Sequence, residues 1–259
     1  MKQKKKSNLT YTIYSILTVV LFIGIWELVT RLGLTKVMPS FSTVVKTFFV
    51  KLKDPRPDGA TLLTNVWVSL QIACSGLFLA IIIGVPLGWL MGWYKPIDRF
   101  VRPLFELIRP IPPISWIPLT ILWVGIGMKA KAFIIFLASF IPCLINAYTG
   151  IKGTNRTLIN VAKTFGASNF SVFINVAIPS AMPLTFTGIR IALNCAWSTL
   201  VAAELLAANA GVGYMISSGR AYSRIDIIFV GMLTIGVMGF VFSWFFKKIE
   251  DIIVKWRTV

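Results

Sequence analysis

The chain has no histidine among its 259 residues. That absence removes the commonest general base near neutral pH and the commonest metal ligand together. Cysteine is scarce: Cys74, Cys143 and Cys195 lie far apart in apolar runs, with no Cys-x-x-Cys pair. They read as small buried residues, and neither a disulfide nor a metal set follows from them. No G-x-x-x-x-G-K-[ST] loop occurs, so the chain does not bind ATP by that route. Acid is also thin, with 9 Asp and Glu against 26 Lys and Arg. No catalytic pairing emerges from these residues, which speaks against an intramembrane enzyme and leaves no cofactor or metal to expect.

What is abundant is apolar sequence, at 56% hydrophobic residues and a mean hydropathy of +0.79. That composition belongs to integral membrane proteins. A net charge of +17 would suggest nucleic acid in a soluble protein. Here the basic residues are scattered in short segments between apolar runs, so they read as juxtamembrane charge that orients the chain and attracts anionic lipid. No nucleic-acid partner is expected.

The expected order is a cytoplasmic tail over 1–10, a first span over 11–32, an extracytoplasmic interfacial segment over 36–58, a core over 64–246 containing a cytoplasmic loop at 151–179, and a cytoplasmic tail over 247–259. The basic start, Lys2 and Lys4 to Lys6, precedes an apolar run too long for the h-region of a signal peptide, with no A-x-A site after it. Glu27, near its far end, is either the acid of a Trp26-Glu27 pair or a side chain simply solvated at an interface. Phe41, Val44, Val45, Phe48, Phe49 and Leu52 keep helical spacing, with Lys46, Lys51 and Lys53 elsewhere on the wheel, so an amphipathic helix at the outer face is expected. Residues 54–59, DPRPDG, form a turn-rich break.

A second span is expected over 65–93, where Gly84, Gly88 and Gly92 put a smooth strip on one face for close packing. Lys95, Asp98, Arg99 and Arg102 mark a short inner loop. In residues 109–131, Pro110, Pro112, Pro113 and Pro118 remove backbone donors and bend any helix. A membrane tolerates that where protein or a water-filled cavity satisfies the freed carbonyls. Two readings stay open, a broken helix lining a pathway at Ser115, Trp116 and Thr120, and a merely kinked structural helix. Further spans are expected over 132–150, with Pro142 as a kink, over 180–206, and over 226–246, with a small-residue outer loop at 207–218. The fifth span carries Arg190, Asn194, Ser198, Thr199 and Glu204. Asn194 and Ser198 share a helix face, so Asn194, Ser198 and Thr199 are candidates for the same pathway, or for interhelical hydrogen bonds.

The most informative stretch is 155–183. Leu158, Val161, Ala162 and Phe165 fall at i, i+3, i+4 and i+7, which predicts a short amphipathic helix. Thr154 or Asn155 can cap its start, Gly166 sits where a left-handed residue would end it, and Ser168 can cap a second segment running to Pro179. By these residues alone it is either a capped loop that touches nothing or a rigid knob. The order Asn160-Val161-Ala162, three residues, Gly166, nine residues, Val176-Ala177-Ile178-Pro179 resembles the EAA loop of ABC-importer permeases. Asn160 stands where that family has glutamate, and Val161 where it has alanine. Val176 and Ile178 replace its Ile and Leu. The missing glutamate removes its salt bridge to the ATPase and leaves the helix. Residues 109–131 and the segment around Gly211-Val212-Gly213 are similar to the nitrate, sulfonate and taurine subgroup.

The resemblance implies an all-α integral membrane protein with about six transmembrane helices, an outer amphipathic helix and a cytoplasmic coupling helix. It implies a homodimer in a bacterial inner membrane, an ABC ATPase subunit beneath each loop and an extracytoplasmic substrate-binding protein. The ATPase would meet Asn160, Val161, Ala162, Phe165 and Gly166, with Pro179 closing the loop. ATP hydrolysis would lie on that partner, and a small solute, a nitrate-, sulfonate-, taurine- or bicarbonate-like anion or a related small organic, would pass by alternating access. The rival is a stand-alone secondary transporter or channel, which would need mid-membrane carboxylates for ion coupling. Glu27, Glu106 and Glu204 all fall near expected span ends, and no inverted repeat is visible. Both termini are expected in the cytoplasm. In a cysteine-free background, an impermeant external thiol reagent should therefore label Lys36→Cys and not Lys152→Cys.

Overall fold

A computed structural model describes residues 2–35, 37–207 and 209–253. Lys36, Lys255 and Arg257 lie outside the described residues. Among the described residues, all regular structure is helical: α1 Lys2–Arg31, α2 Phe41–Lys51, α3 Leu62–Trp93, α4 Lys95–Ile108, a 3-10 turn Pro113–Trp116, α5 Ile117–Val124, α6 Met128–Lys152, α7 Arg156–Thr164, α8 Asn169–Val172, a π turn Phe173–Ala177, α9 Ile178–Ala207, α10 Val212–Ala221 and α11 Ile225–Ile253. Five helical stretches are long and apolar enough to cross a membrane, and the pair Lys95–Ile108 and Pro113–Val124, bent by 85°, makes a sixth if counted as one.

The chain divides into two units, Met1–Leu63 with Met215–Leu233, and Thr64–Tyr214 with Thr234–Val259. In the first, the Trp26 indole donates to the Pro39 carbonyl at 3.1 Å and meets the Phe41 and Phe229 rings at 5.5 Å each. Of the two readings of Glu27, simple solvation is the one the structure departs from. Its carboxylate accepts from the Ser42 N–H at 3.1 Å and the Ser42 hydroxyl at 2.8 Å, so it serves the open N-terminus of α2. Ser40 caps the same end, accepting from the Thr43 N–H.

Lys51 departs further from the wheel. It is 1% exposed, and its ammonium donates to the carbonyls of Pro55, Arg56 and Ala60 at 3.1, 3.0 and 2.8 Å and pairs with Asp58. The turn-rich break is therefore closed around a buried cation whose donors are all used. Hydrogen bonds from the Arg56 side chain and backbone hold the half-buried Asp54 carboxyl down at about 2.

The second unit is organised by contacts that only small residues permit. A Cβ on Gly88 would fall 2.4 Å from the Leu144 carbonyl oxygen of α6, and one on Gly92 2.6 Å from the Ile151 side chain. On the other side of α6, Gly150 meets Ala181 of α9 and Gly188 meets Pro142 and Asn146 in the same manner. Lipid is as apolar as leucine, so spans associate by close packing and not by the hydrophobic effect. Buried between them are Ile72, Leu77, Val85, Ile135, Cys143 and Leu193. Cys74, expected to be buried, is exposed.

The short inner loop expected at Lys95–Arg102 is instead α4. Pro96 sits at its second helical position, where a missing N–H costs nothing. Ile97, Val101 and Phe105 fall at i, i+4 and i+8 and join a cluster with Leu144, Ile141 and Ile145 of α6. The charges that read as a loop occupy the rest of an amphipathic helix. Gly88→Val should cost on the order of 1–3 kcal/mol by overpacking and lower the melting temperature and yield of folded protein. Gly236→Ala, whose Cβ would meet nothing within 4 Å, should leave both unchanged.

Candidate functional site

Residues 154–179 fold as a capped knob. Asn155, and not Thr154, caps α7, its Oδ1 accepting from the Thr157 N–H at 2.8 Å. At the other end Gly166 adopts φ +83°, the Gly166 N–H donates to the Lys163 carbonyl at 2.9 Å, and the Ala167 N–H to the Ala162 carbonyl at 3.1 Å. That pair of bonds is a Schellman ending, with glycine in the left-handed position it requires. Ser168 then accepts from the Ser171 N–H and starts α8.

The second segment does not stop at Pro179. Proline there cannot donate to the Asn175 carbonyl, and its ring would clash with it. The chain answers with a π turn, in which the Ile178 N–H reaches back five residues to Phe173, and runs on into α9. Phe173 is buried against the rings of Trp93 and Tyr94, at 5.6 and 5.7 Å, beside Ile151, Ala177 and Ala181. The knob is thus fixed to the ends of α3 and α6.

Its outer face is open. Leu158, Val161 and Phe165 are 51%, 49% and 87% exposed, Asn160 and Gly166 are exposed, Ala162 and Pro179 half-buried, and no residue of α7 is buried. A capped, anchored helix keeps an apolar stripe without a partner in its own chain.

The candidate pathway residues separate. Asn194 and Ser198 are exposed and, with Trp197, Val201, Ile235 and Gly239, line a cavity of about 390 Å³. Thr199 is buried on the opposite face. Ser115 is exposed and Trp116 half-buried, and neither borders that cavity. Thr120 is fully buried, its hydroxyl donating to the Trp116 carbonyl at 2.8 Å. The structure brings Asn194 and Ser198 together and leaves the others apart.

The model of the family described as binding-protein-dependent transport system inner membrane component matches residues 84–257, which include the knob, the broken helix and α9. The chain belongs to this family. The permease is 36% identical to a putative ABC transporter permease protein of Methanocaldococcus jannaschii over 241 residues, 92% of this chain and 90% of that one. It is 34% identical to the taurine transport system permease protein of Escherichia coli, covering 94% and 89% of the two chains. With the bicarbonate transport system permease protein of Synechocystis it shares 30%, over 92% and 86%. Its fold is similar to a chain of the MetNI methionine ABC transporter in inward-facing conformations, with a TM-score of 0.61 at 22% identity, over 76% of this chain and 96% of that one. It is the permease subunit of an ABC importer and a multi-pass inner-membrane protein.

One polar cluster of the permease escapes a reading of the sequence. Glu204 is 1% exposed. Its carboxylate accepts from the Ser69 hydroxyl at 2.7 Å and the Gly213 N–H at 2.8 Å. Ser69 in turn accepts from the Val212 N–H at 2.9 Å, and Asn65 from the Gly211 N–H at 3.0 Å. Three consecutive backbone donors at the start of α10 are thus met by side chains from α3 and α9. The signal was the i, i+4 spacing of Asn65 and Ser69, which meant nothing until the loop lay over it. Gly211 must stay small, because a Cβ would fall 2.3 Å from the Glu204 carboxylate. Ser69→Ala breaks two of these bonds at about 1–3 kcal/mol, and amide exchange at Val212 and Gly213 should accelerate at least tenfold.

Proposed function

We propose that two copies of this permease assemble with an ABC ATPase beneath each α7 and a substrate-binding protein at the opposite face. The observation that carries this reading is the exposed apolar stripe Leu158, Val161 and Phe165 on a helix capped at both ends and anchored through Phe173. An amphipathic helix of that kind fits a groove on a partner, as in other helix-in-groove contacts. Asn160 offers the ATPase an amide in place of the family glutamate. It supplies hydrogen bonds and no ion pair.

ATP-driven closure of the ATPases moves the knobs, and the π turn and α9 carry that motion into the bundle. The cycle works by differential affinity of the partners for two states of the permease, since a partner binding both equally shifts nothing. The solute passes beside Asn194 and Ser198. The relatives named for taurine and bicarbonate support a small oxyanion as cargo. Both termini lie in the cytoplasm, and the scattered basic residues rest on anionic headgroups.

Ala162→Asp puts a charge into the proposed contact. Gly166→Val forces a Cβ into a positive-φ position at about 1 kcal/mol or more. Both variants should insert and dimerise, and both should lose ATPase association or at least tenfold of the hydrolysis that loaded binding protein stimulates. Normal ATP-dependent uptake by both would end this reading.

A further inference from the structure

The break between α4 and α5 holds a pair of charges at an unexpected depth. Arg102 of α4 donates to the Tyr148 hydroxyl of α6, its guanidinium carbon 5.3 Å from the ring centroid. Beyond the break, Ile117 of α5 clusters with Ile134 of α6 and Ala203 of α9. Tyr148 and Ile134 are about 21 Å apart along α6 at the helical rise, and α6 runs Met128–Lys152. Residues 109–112 join these two levels across the bend and so lie within the length of that span. Glu106, which the sequence placed near a span end, sits just short of them, one helical turn before Arg109.

These two side chains are open. Glu106 is 57% and Arg109 47% exposed, and they meet at 3.9 Å, the long limit of an ion pair. Glu204 and Lys131 are buried, and Arg190 is tied to Glu250. Exposed ionisable groups within a span are too costly against lipid and mark a cavity or a protein contact. The prolines at 110, 112 and 113 carry no N–H, so the backbone there offers an anion little but carbonyls. The donors must come from the guanidinium, whose planar fork of five N–H groups matches an oxyanion bidentately and has only one loose acidic partner.

We propose that Glu106 and Arg109 form an anion-exchange subsite in the translocation path. The guanidinium trades the carboxylate for the oxyanion of the passing solute, a sulfonate, carboxylate or bicarbonate. Glu106 keeps the empty site neutral and, by competing for the guanidinium, keeps the bound anion releasable, as transport requires. The inference rests on the importer reading and adds to it the group that selects the charge of the cargo.

The test uses the full complex in phosphatidylethanolamine and phosphatidylglycerol vesicles, with Cys74, Cys143 and Cys195 replaced by alanine. Ile111→Cys, at an exposed position two residues from Arg109, serves as the reporter. Its reaction rates with an anionic and a cationic thiosulfonate are compared. Arg109→Gln should lower the anionic-to-cationic ratio about tenfold, Arg109→Lys should preserve it, and Glu106→Gln should raise it. A ratio indifferent to Arg109→Gln, or a reporter inert to both reagents, overturns the subsite. If Arg109→Gln does not assemble, the Glu106→Gln comparison decides, and a flat ratio there overturns it equally. Stimulation of ATP hydrolysis by loaded binding protein is measured on the parent complex in parallel. Its absence would overturn the importer reading, which a flat ratio alone would leave standing.

Discussion

Backbone-to-backbone approach between α3, α6 and α9 is the constraint on which the second unit depends. Inside a bilayer, apolar side chains gain nothing from meeting each other that lipid would not supply. What remains is contact density, and glycine provides it by letting a carbonyl or an alanine methyl occupy the space a Cβ would fill. Gly88 and Gly92 do this on one side of α6, Gly150 and Gly188 on the other. The centre of the bundle is therefore stiff, and its polar groups are confined to defined places. Among them are the Glu204 cluster, the face of Asn194 and Ser198, and the break near Arg109.

That stiffness gives the knob its value. A loop on a flexible tether would absorb a partner's motion, whereas α7 is closed at both ends by hydrogen bonds and joined by a tight turn at Gly166 to α8, which runs through the π turn into α9. The π turn lies between α8 and α9, and it follows from a single missing N–H at Pro179. It sits between a surface without a partner and a span with polar residues on its exposed face.

Much of this was legible. A cap at Thr154 or Asn155, the cap at Ser168, the left-handed Gly166 and the glycine strip of α3 follow from local rules that lipid and tertiary context do not override. Failures came where a residue's role depends on something distant. Lys51 read as solvated because nothing in α2 says that four acceptors from the next nine residues will close on it. Lys95–Arg102 read as a loop because charge was weighed above the stripe of Ile97, Val101 and Phe105. Thr120 and Thr199 were grouped with path residues by polarity alone. Each hydroxyl-bearing side chain is instead turned inward, where a helix carbonyl one turn back can satisfy it, as it does for Thr120. The depth of Arg109 needed the register of α4 and α5 on α6, which no linear pattern carries.

Lys51 has a wider meaning. Ringed by carbonyl oxygens and a carboxylate, its ammonium occupies the position that a calcium ion takes in many extracellular loops. Here the ion is covalently attached. Residues 54–60 are thereby relieved of any dependence on the mineral content of their surroundings. Chelators and dilute media cannot strip out their organising charge, and the segment can keep one shape whatever the ionic composition around it.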